Sequence, residues 1–246
     1  MASDILSILK LDPATTSSSG GKVIIAKELN GCESTFIISS FFGEYYRSST
    51  HTLLVLLHNP LSHYQNVSLR MNYNLQKLID SGHLEVCDLA KESVDNLLTG
   101  NSQLKDMGAR VMDKLTEMKK KCGEVTVIVD GLSHLFDLEY SLSEVNEFCR
   151  SVIRSRGEGR SHVVLHCHVA SEDHVTNTCA NMLSHMADTV VVVENLSSGL
   201  SADVSGHLKV TYPGQKFVDD VIDIKSVQYL FRLFDKGVKV FAPGCV

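Results

Sequence analysis

Six short runs rich in Val, Ile and Leu recur along this chain, each separated from the next by a stretch long enough for a helix. They are Lys22–Ala26, Thr52–Leu57, Leu84–Cys87, Val125–Asp130, His162–His168 and Thr189–Glu194. Most are continuous apolar runs, whereas a sheet wetted on one face would alternate apolar with polar residues. Continuous runs mark strands buried on both faces, and such strands need helices on both sides of a parallel sheet. Helical patterns fall between them at Ser34–Tyr46, Ser62–Asn72, Gln103–Lys121, Ser141–Ser155 and Asp173–Met186. Ser141 and Asp173 are suited to cap the last two. After Glu194 the pattern changes. His207–Tyr212, Ser226–Phe234 and Val238–Ala242 leave little room for helices, and Asp235-Lys236-Gly237 signals a hairpin. The expectation is an α/β fold with a mostly parallel sheet flanked by helices and closed by antiparallel C-terminal strands.

A chain of 246 residues that is 43% apolar can fill one core of this kind. Ser, Thr and Gly concentrate from Leu11 to Gly21, so residues 1–21 read as a flexible N-terminal lead-in and 22–246 as a single domain. The net charge is −6. A protein that binds nucleic acid tightly by itself draws most of its affinity from phosphate contacts and is usually basic, so any RNA contact here should be local or shared. Seven dispersed cysteines without a CxxC pair fit buried free thiols in a reducing compartment better than a disulfide framework. No leader pattern opens the chain, and no run approaches the ~18 apolar residues of a membrane span. The reading expects a cytoplasmic or nuclear protein.

The first run leads through a loop into a helix, the junction at which a nucleotide-binding domain carries GxxxxGK[ST]. There the glycines let backbone amides reach phosphate oxygens, the lysine neutralises charge and the hydroxyl holds Mg²⁺. On that template the segment reads Lys27-Glu28-Leu29-Asn30-Gly31-Cys32-Glu33-Ser34. Lys27 and Cys32 take the glycine positions and Glu33 takes that of the lysine. A carboxylate ~4 Å from a phosphate repels it by about 4 kcal/mol at an effective dielectric of 20. The segment is either a degenerate phosphate loop or an ordinary turn, and both readings exclude normal nucleotide hydrolysis there. The run ending in Asp130 has the form of the second acidic motif of NTPases, although an Asp at a strand end can simply cap a turn.

His162, His166, His168 and His174 gather around one strand. His166 and His168 share a face, with Cys167 opposite. A metal site would need a third ligand, for which His174 and Asp173 are in reach; hydrogen-bonded strand-end histidines are the simpler account. Ser133-His134 could be a nucleophile pair, but no GxSxG elbow accompanies it. The reading therefore expects no catalytic residue, metal or cofactor. Two basic clusters, Lys119-Lys120-Lys121 and Arg150, Arg154, Arg156 and Arg160, precede the fourth and fifth runs. Loops that precede parallel strands lie at the end of the sheet opposite a nucleotide site. Lys119, Lys120, Lys121, Arg154, Arg156 and Arg160 are the candidates for contact with RNA or an acidic partner, against the alternative of solvated helix ends.

Several segments resemble the Elongator complex protein 6 family: Leu61-Ser62-His63-Tyr64, Ser81-Gly82-His83-Leu84, Ser198-Gly199-Leu200, Asp203-Val204-Ser205-Gly206-His207-Leu208, and the closing Asp235-Lys236-Gly237-Val238-Lys239-Val240-Phe241-Ala242-Pro243-Gly244. The resemblance runs from about Gly21 to the C-terminus. It implies a RecA-like fold, of P-loop NTPase type, with a degenerate phosphate loop. It also implies a non-catalytic subunit that joins Elongator proteins 4 and 5 in a hetero-hexameric ring. Such a ring binds transfer RNA and serves the Elongator catalytic core in wobble-uridine (U34) modification. The rival readings are an active RecA- or recombinase-like ATPase, against which Glu33 stands, and a stand-alone RNA-binding domain, against which the net charge stands.

Overall fold

The computed structural model describes residues 2–11, 20–48, 50–97, 104–157, 161–197, 199, 201, 203–213 and 225–242. Among them nine strands form one sheet: β1 (Val23–Leu29), β2 (His51–Leu56), β3 (Leu84–Asp88), β4 (Val125–Asp130), β5 (Val163–Val169), β6 (Thr189–Glu194), β7 (Gly206–Tyr212), β8 (Lys225–Phe234) and β9 (Gly237–Phe241). Their order is β3-β2-β4-β5-β1-β6-β7-β8-β9. β1 to β6 pair in parallel, and β7, β8 and β9 continue the sheet antiparallel. The helices are α1 (Ala2–Ile8), α2 (Phe36–Ser48), α3 (Leu61–Arg70), α4 (Leu75–Asp80), α5 (Leu89–Leu97), α6 (Leu104–Cys122), α7 (His134–Asp137), α8 (Leu142–Arg154) and α9 (His174–Ser184). None of them is long and apolar enough to cross a membrane.

Strand side chains alternate between the two faces, and each face has its own core. Ile25, Val55, Val127 and Leu165 pack on one side with α6, α8 and α9. Ile24, Leu54, Ile128 and Val164 pack on the other with α1, α2, α3 and α4. α6 shows how the sequence does this. Leu104, Met107, Val111, Leu115 and Met118 recur at spacings of three and four, and all five are buried. Each such side chain contributes ~1.5–3 kcal/mol when fully buried. α8 starts at a capping box, in which the Ser141 hydroxyl accepts from the Glu144 backbone N–H and the Glu144 carboxylate accepts from that of Ser141.

The structure departs from the sequence reading in three places. Within the expected lead-in 1–21, Ala2–Ile8 is helical, with Ile5 and Leu9 buried one above the other and the Tyr212 hydroxyl donating to the Ile8 carbonyl. β1 runs to Leu29 instead of ending at Ala26, because β5 and β6 pair with Lys27 and Glu28 from both sides. α4, α5 and α7 are additional short helices. The expected hairpin is present: Phe234 pairs with Gly237 across Asp235-Lys236. Phe231 and Val238 of these late strands are buried in the core, while Phe234 is exposed.

Candidate functional site

The α2-side row of each central strand begins apolar and ends polar: Ile24, Ala26, Glu28 on β1; Ile128, Asp130 on β4; Val164, His166, His168 on β5. β5 lies between β1 and β4, with Glu28 level with His168 and Ala26 level with His166. Three strands therefore bring their polar ends together beneath the start of α2. Ser34, just ahead of α2, closes the group. Its Oγ donates to Glu28 Oε2 at 2.6 Å and lies 2.6 Å from His166 Nε2, and its backbone N–H donates to the same carboxylate at 3.1 Å. On its other side His166 Nδ1 meets Asp130 Oδ1 at 3.0 Å, and the Asn59 N–H donates to Asp130 Oδ2 at 3.2 Å. Ser34, His166 and Asp130 are each 0% exposed, and Glu28 is 8% exposed.

The contacts Asp130–His166, His166–Ser34 and Ser34–Glu28 each need one proton. The serine hydroxyl brings one of the three, and the imidazole tautomer sets which way the others run. The two carboxyls of the network sit in different surroundings. Burial pushes the Glu28 carboxyl up against the pull of Ser34 and His166. Burial also pushes Asp130 up, but bonding to His166 and the Asn59 amide outweighs it and holds Asp130 at about 2. The Ser34–His166–Asp130 order is that of a hydrolase triad. All three are buried, and Glu28 makes a second claim on the hydroxyl, so the group is a closed hydrogen-bond network, unlike a triad open to substrate.

The loop ahead of α2 is Asn30 to Thr35, turned by positive φ at Asn30 (51°) and Gly31 (71°). Lys27, at the first glycine position of the phosphate-loop template, lies inside β1, and its Nζ donates to Asn181 at 3.1 Å. The Ser34 amide is taken by Glu28. The Thr35 amide donates to Glu33 Oε1 at 2.9 Å, and the Thr35 hydroxyl bonds the same oxygen. Carboxylates of this chain thus take the Ser34 and Thr35 amides, two donors ahead of α2 that could otherwise face an anion.

His58 and His134 extend the network to the surface. Their rings stack at 4.2 Å, and His58 lies 4.5 Å and His166 4.7 Å from His168. Gly131 permits this approach: its φ is +79°, and a Cβ there would stand 2.3 Å from His58 Cβ. Burial and the neighbouring imidazoles hold His168 down at about 3. Cys167 faces the opposite core, as its alternation with His166 and His168 predicts. Asp173 and His174, the proposed third metal ligands, are elsewhere: Asp173 caps α9 by accepting from the Val175 N–H. The residue that joins His166 and His168 is Glu28. Ser133 accepts from the His168 N–H at 2.9 Å, and His134 Nδ1 meets Asp137 at 2.8 Å, so Ser133 and His134 do not form a nucleophile pair. His162 sits at the other end of β5, accepting from the Lys22 N–H.

The basic clusters lie at that other end, at the C-termini of α6 and α8. Lys119 Nζ donates to the Ser155 carbonyl, which ties the clusters together. Lys121 pairs with Glu117 at 2.6 Å and Arg156 with Asp188 at 2.9 Å. Lys120 and Arg154 are exposed. Arg160 lies outside the described residues.

A family model described as Elongation complex protein 6 matches residues 3–233. The Elongator complex protein 6 of Drosophila melanogaster is 27% identical over 236 residues, covering 91% of each chain. That of Homo sapiens is 25% identical over 234 residues, covering 86% of this chain and 87% of its own. That of Rattus norvegicus is 23% identical, with 99% and 98% covered.

Proposed function

The chain belongs to the Elongation complex protein 6 family, and on that premise we propose that it is a non-catalytic subunit of the Elongator complex, RecA-like in fold, with a degenerate phosphate loop. It joins Elongator proteins 4 and 5 in a hetero-hexameric ring that binds transfer RNA in the cytoplasm or nucleus and supports wobble-uridine (U34) modification by the Elongator catalytic core. The observation that carries the non-catalytic reading is the self-occupied loop: Glu28 holds the Ser34 amide and hydroxyl, and Glu33 holds the Thr35 amide. A triphosphate would have to displace two carboxylates and then sit beside them. The RecA-like reading is supported by the parallel order β3-β2-β4-β5-β1, with α2 following β1 directly and Asp130 closing β4.

Two measurements test this. Light scattering after size exclusion of the chain co-expressed with Elongator proteins 4 and 5 should give one complex with the three in equal numbers; a lone monomer overturns the ring. A fluorescent ATP analogue should bind neither the native chain nor Glu33→Lys, because Glu28 still occupies Ser34 in that variant. ATP turnover by the native chain overturns the non-catalytic reading and leaves family membership standing.

A further inference from the structure

Glu28, His166 and His168 each offer a ligand atom, and these atoms all lie within 4.8 Å of one another. Two imidazoles and one carboxylate are a set that zinc takes, with neutral imidazole nitrogens and a carboxylate oxygen each ~2.0–2.2 Å from the ion. We propose that these three side chains bind one divalent transition-metal ion, Zn²⁺ by ligand type, through Glu28 Oε2, His166 Nε2 and His168 Nε2, with Ser34 Oγ at the fourth position.

Spacing supports the assignment. Around a tetrahedral ion at these bond lengths, neighbouring ligand atoms stand about 3.4 Å apart. His168 Nε2 and Glu28 Oε2 are 3.7 Å apart, already near that value. Ser34 Oγ, 2.6 Å from both Glu28 Oε2 and His166 Nε2, moves outward as the ion replaces the protons between them. The surrounding shell is built as metal sites need. A metal-binding imidazole is oriented by a hydrogen bond on its other nitrogen, usually to a carboxylate. Asp130 supplies this for His166 at 3.0 Å, and the Ser133 hydroxyl stands 3.5 Å from His168 Nδ1. Both rings therefore turn Nε2 toward Glu28.

Charge and access point the same way. Among the described residues the ion pairs of Glu28 and Asp130 are with imidazoles, so two buried carboxylates lack a permanent cationic partner. A divalent cation is the charge that such a pocket lacks. The His168 side chain is 23% exposed and its ring lies beside that of the exposed His58, which gives the ion a route in. Alongside stands His134, whose ring is 5.3 Å from that of His168 and whose buried Nε2 makes no hydrogen bond among the described residues.

The test uses the full chain, stripped with chelator and titrated with Co²⁺ and Zn²⁺. The expected result is one ion per chain, with the ligand-field absorption of four-coordinate Co²⁺ and no thiolate charge-transfer band. Glu28→Gln and His168→Gln should each weaken binding at least tenfold, Asp130→Asn by about 10–100-fold, and His174→Ala should leave it unchanged. Circular dichroism checks that each variant is folded. The native chain's spectrum decides the matter even where a variant fails to fold: a thiolate band, or no stoichiometric binding, overturns the site. So does binding that survives His168→Gln in a folded protein.

Discussion

Replacing Ser34 by alanine removes one oxygen from the centre of the buried network, and the cost can be worked from its contacts. That oxygen is 0% exposed and lies 2.6 Å from both Glu28 Oε2 and His166 Nε2. Hydrogen bonds to ionised groups contribute about 1.5–3 kcal/mol each, and a buried polar atom left unpaired costs a further ~1–3 kcal/mol. Glu28 keeps the Ser34 amide at 3.1 Å, so its loss is partial, while His166 Nε2 is stranded. The space freed is smaller than a water molecule, so solvent cannot repair the gap. The expected destabilisation is about 3 kcal/mol. At a urea slope of about 3 kcal/mol per molar for a chain of this size, the unfolding midpoint falls by about 1 M. The measurement is urea unfolding followed by circular dichroism, with chelator present so that metal does not contribute. Ser48→Ala, at an exposed serine whose hydroxyl bonds the Glu44 carbonyl, is the control and should stay within about 0.5 kcal/mol. A Ser34→Ala midpoint no lower than that control would refute the network.

Acid should destabilise the fold through His168. Its pKa is held at about 3 against 6.5, so only the unfolded chain takes the proton; stability is unaffected above pH 6.5 and is lost as pH falls from there toward 3. Discounted for partial exposure, the loss is about 1 kcal/mol over the first pH unit, or about 2–4 °C in Tm, and His168→Gln should flatten the profile; a native Tm insensitive to that pH change contradicts the assignment. Phe231 is 0% exposed and its ring centroid lies 5.0 Å from that of Phe36, so Phe231→Ala should cost about 3–5 kcal/mol in calorimetry; less than 1 kcal/mol would mean that β8 is not part of the core. If the proposed ring forms and binds transfer RNA, reversing Lys120, Lys121 and Arg154 to Glu in it should weaken that binding and lower its salt slope by about one for each phosphate that is no longer neutralised. An unchanged slope removes this edge from the RNA surface.

The parallel core was legible because its signal is local. Runs such as Val125–Asp130 are apolar on both faces whatever their neighbours, and the caps Ser141 and Asp173 act within their own helices. The end of β1 was not legible. Lys27-Glu28-Leu29 has no strand signature of its own, and its pairing comes from β5 and β6, more than 130 residues away in sequence. The site shared that limit. His166 and His168 announced a common face, but Asp173 and His174 looked like their partners because they are near in sequence. Glu28 became visible only once the strand order placed β1 beside β5. The signal available beforehand was the pair of alternations Ile24-Ala26-Glu28 and Val164-His166-His168, each of which turns polar at the same height.

That shared height has an electrostatic consequence. In a parallel sheet the strand ends beneath the first helix form the natural ligand crevice, and backbone amides there favour anions. Here Glu28 and Glu33 satisfy those amides from within the chain, and Asp130 adds a third carboxylate one strand beyond His166. Two of the amides at this crevice, those of Ser34 and Thr35, are therefore occupied, and buried carboxylates and imidazoles line it. A phosphate is repelled from such a place and a divalent cation is drawn to it. The proposed non-catalytic loop and the proposed metal site then share one residue, Glu28. Glu28→Gln separates them, since removing the carboxylate should weaken metal binding at least tenfold, while Glu33, still on the Thr35 amide, should keep an ATP analogue from binding.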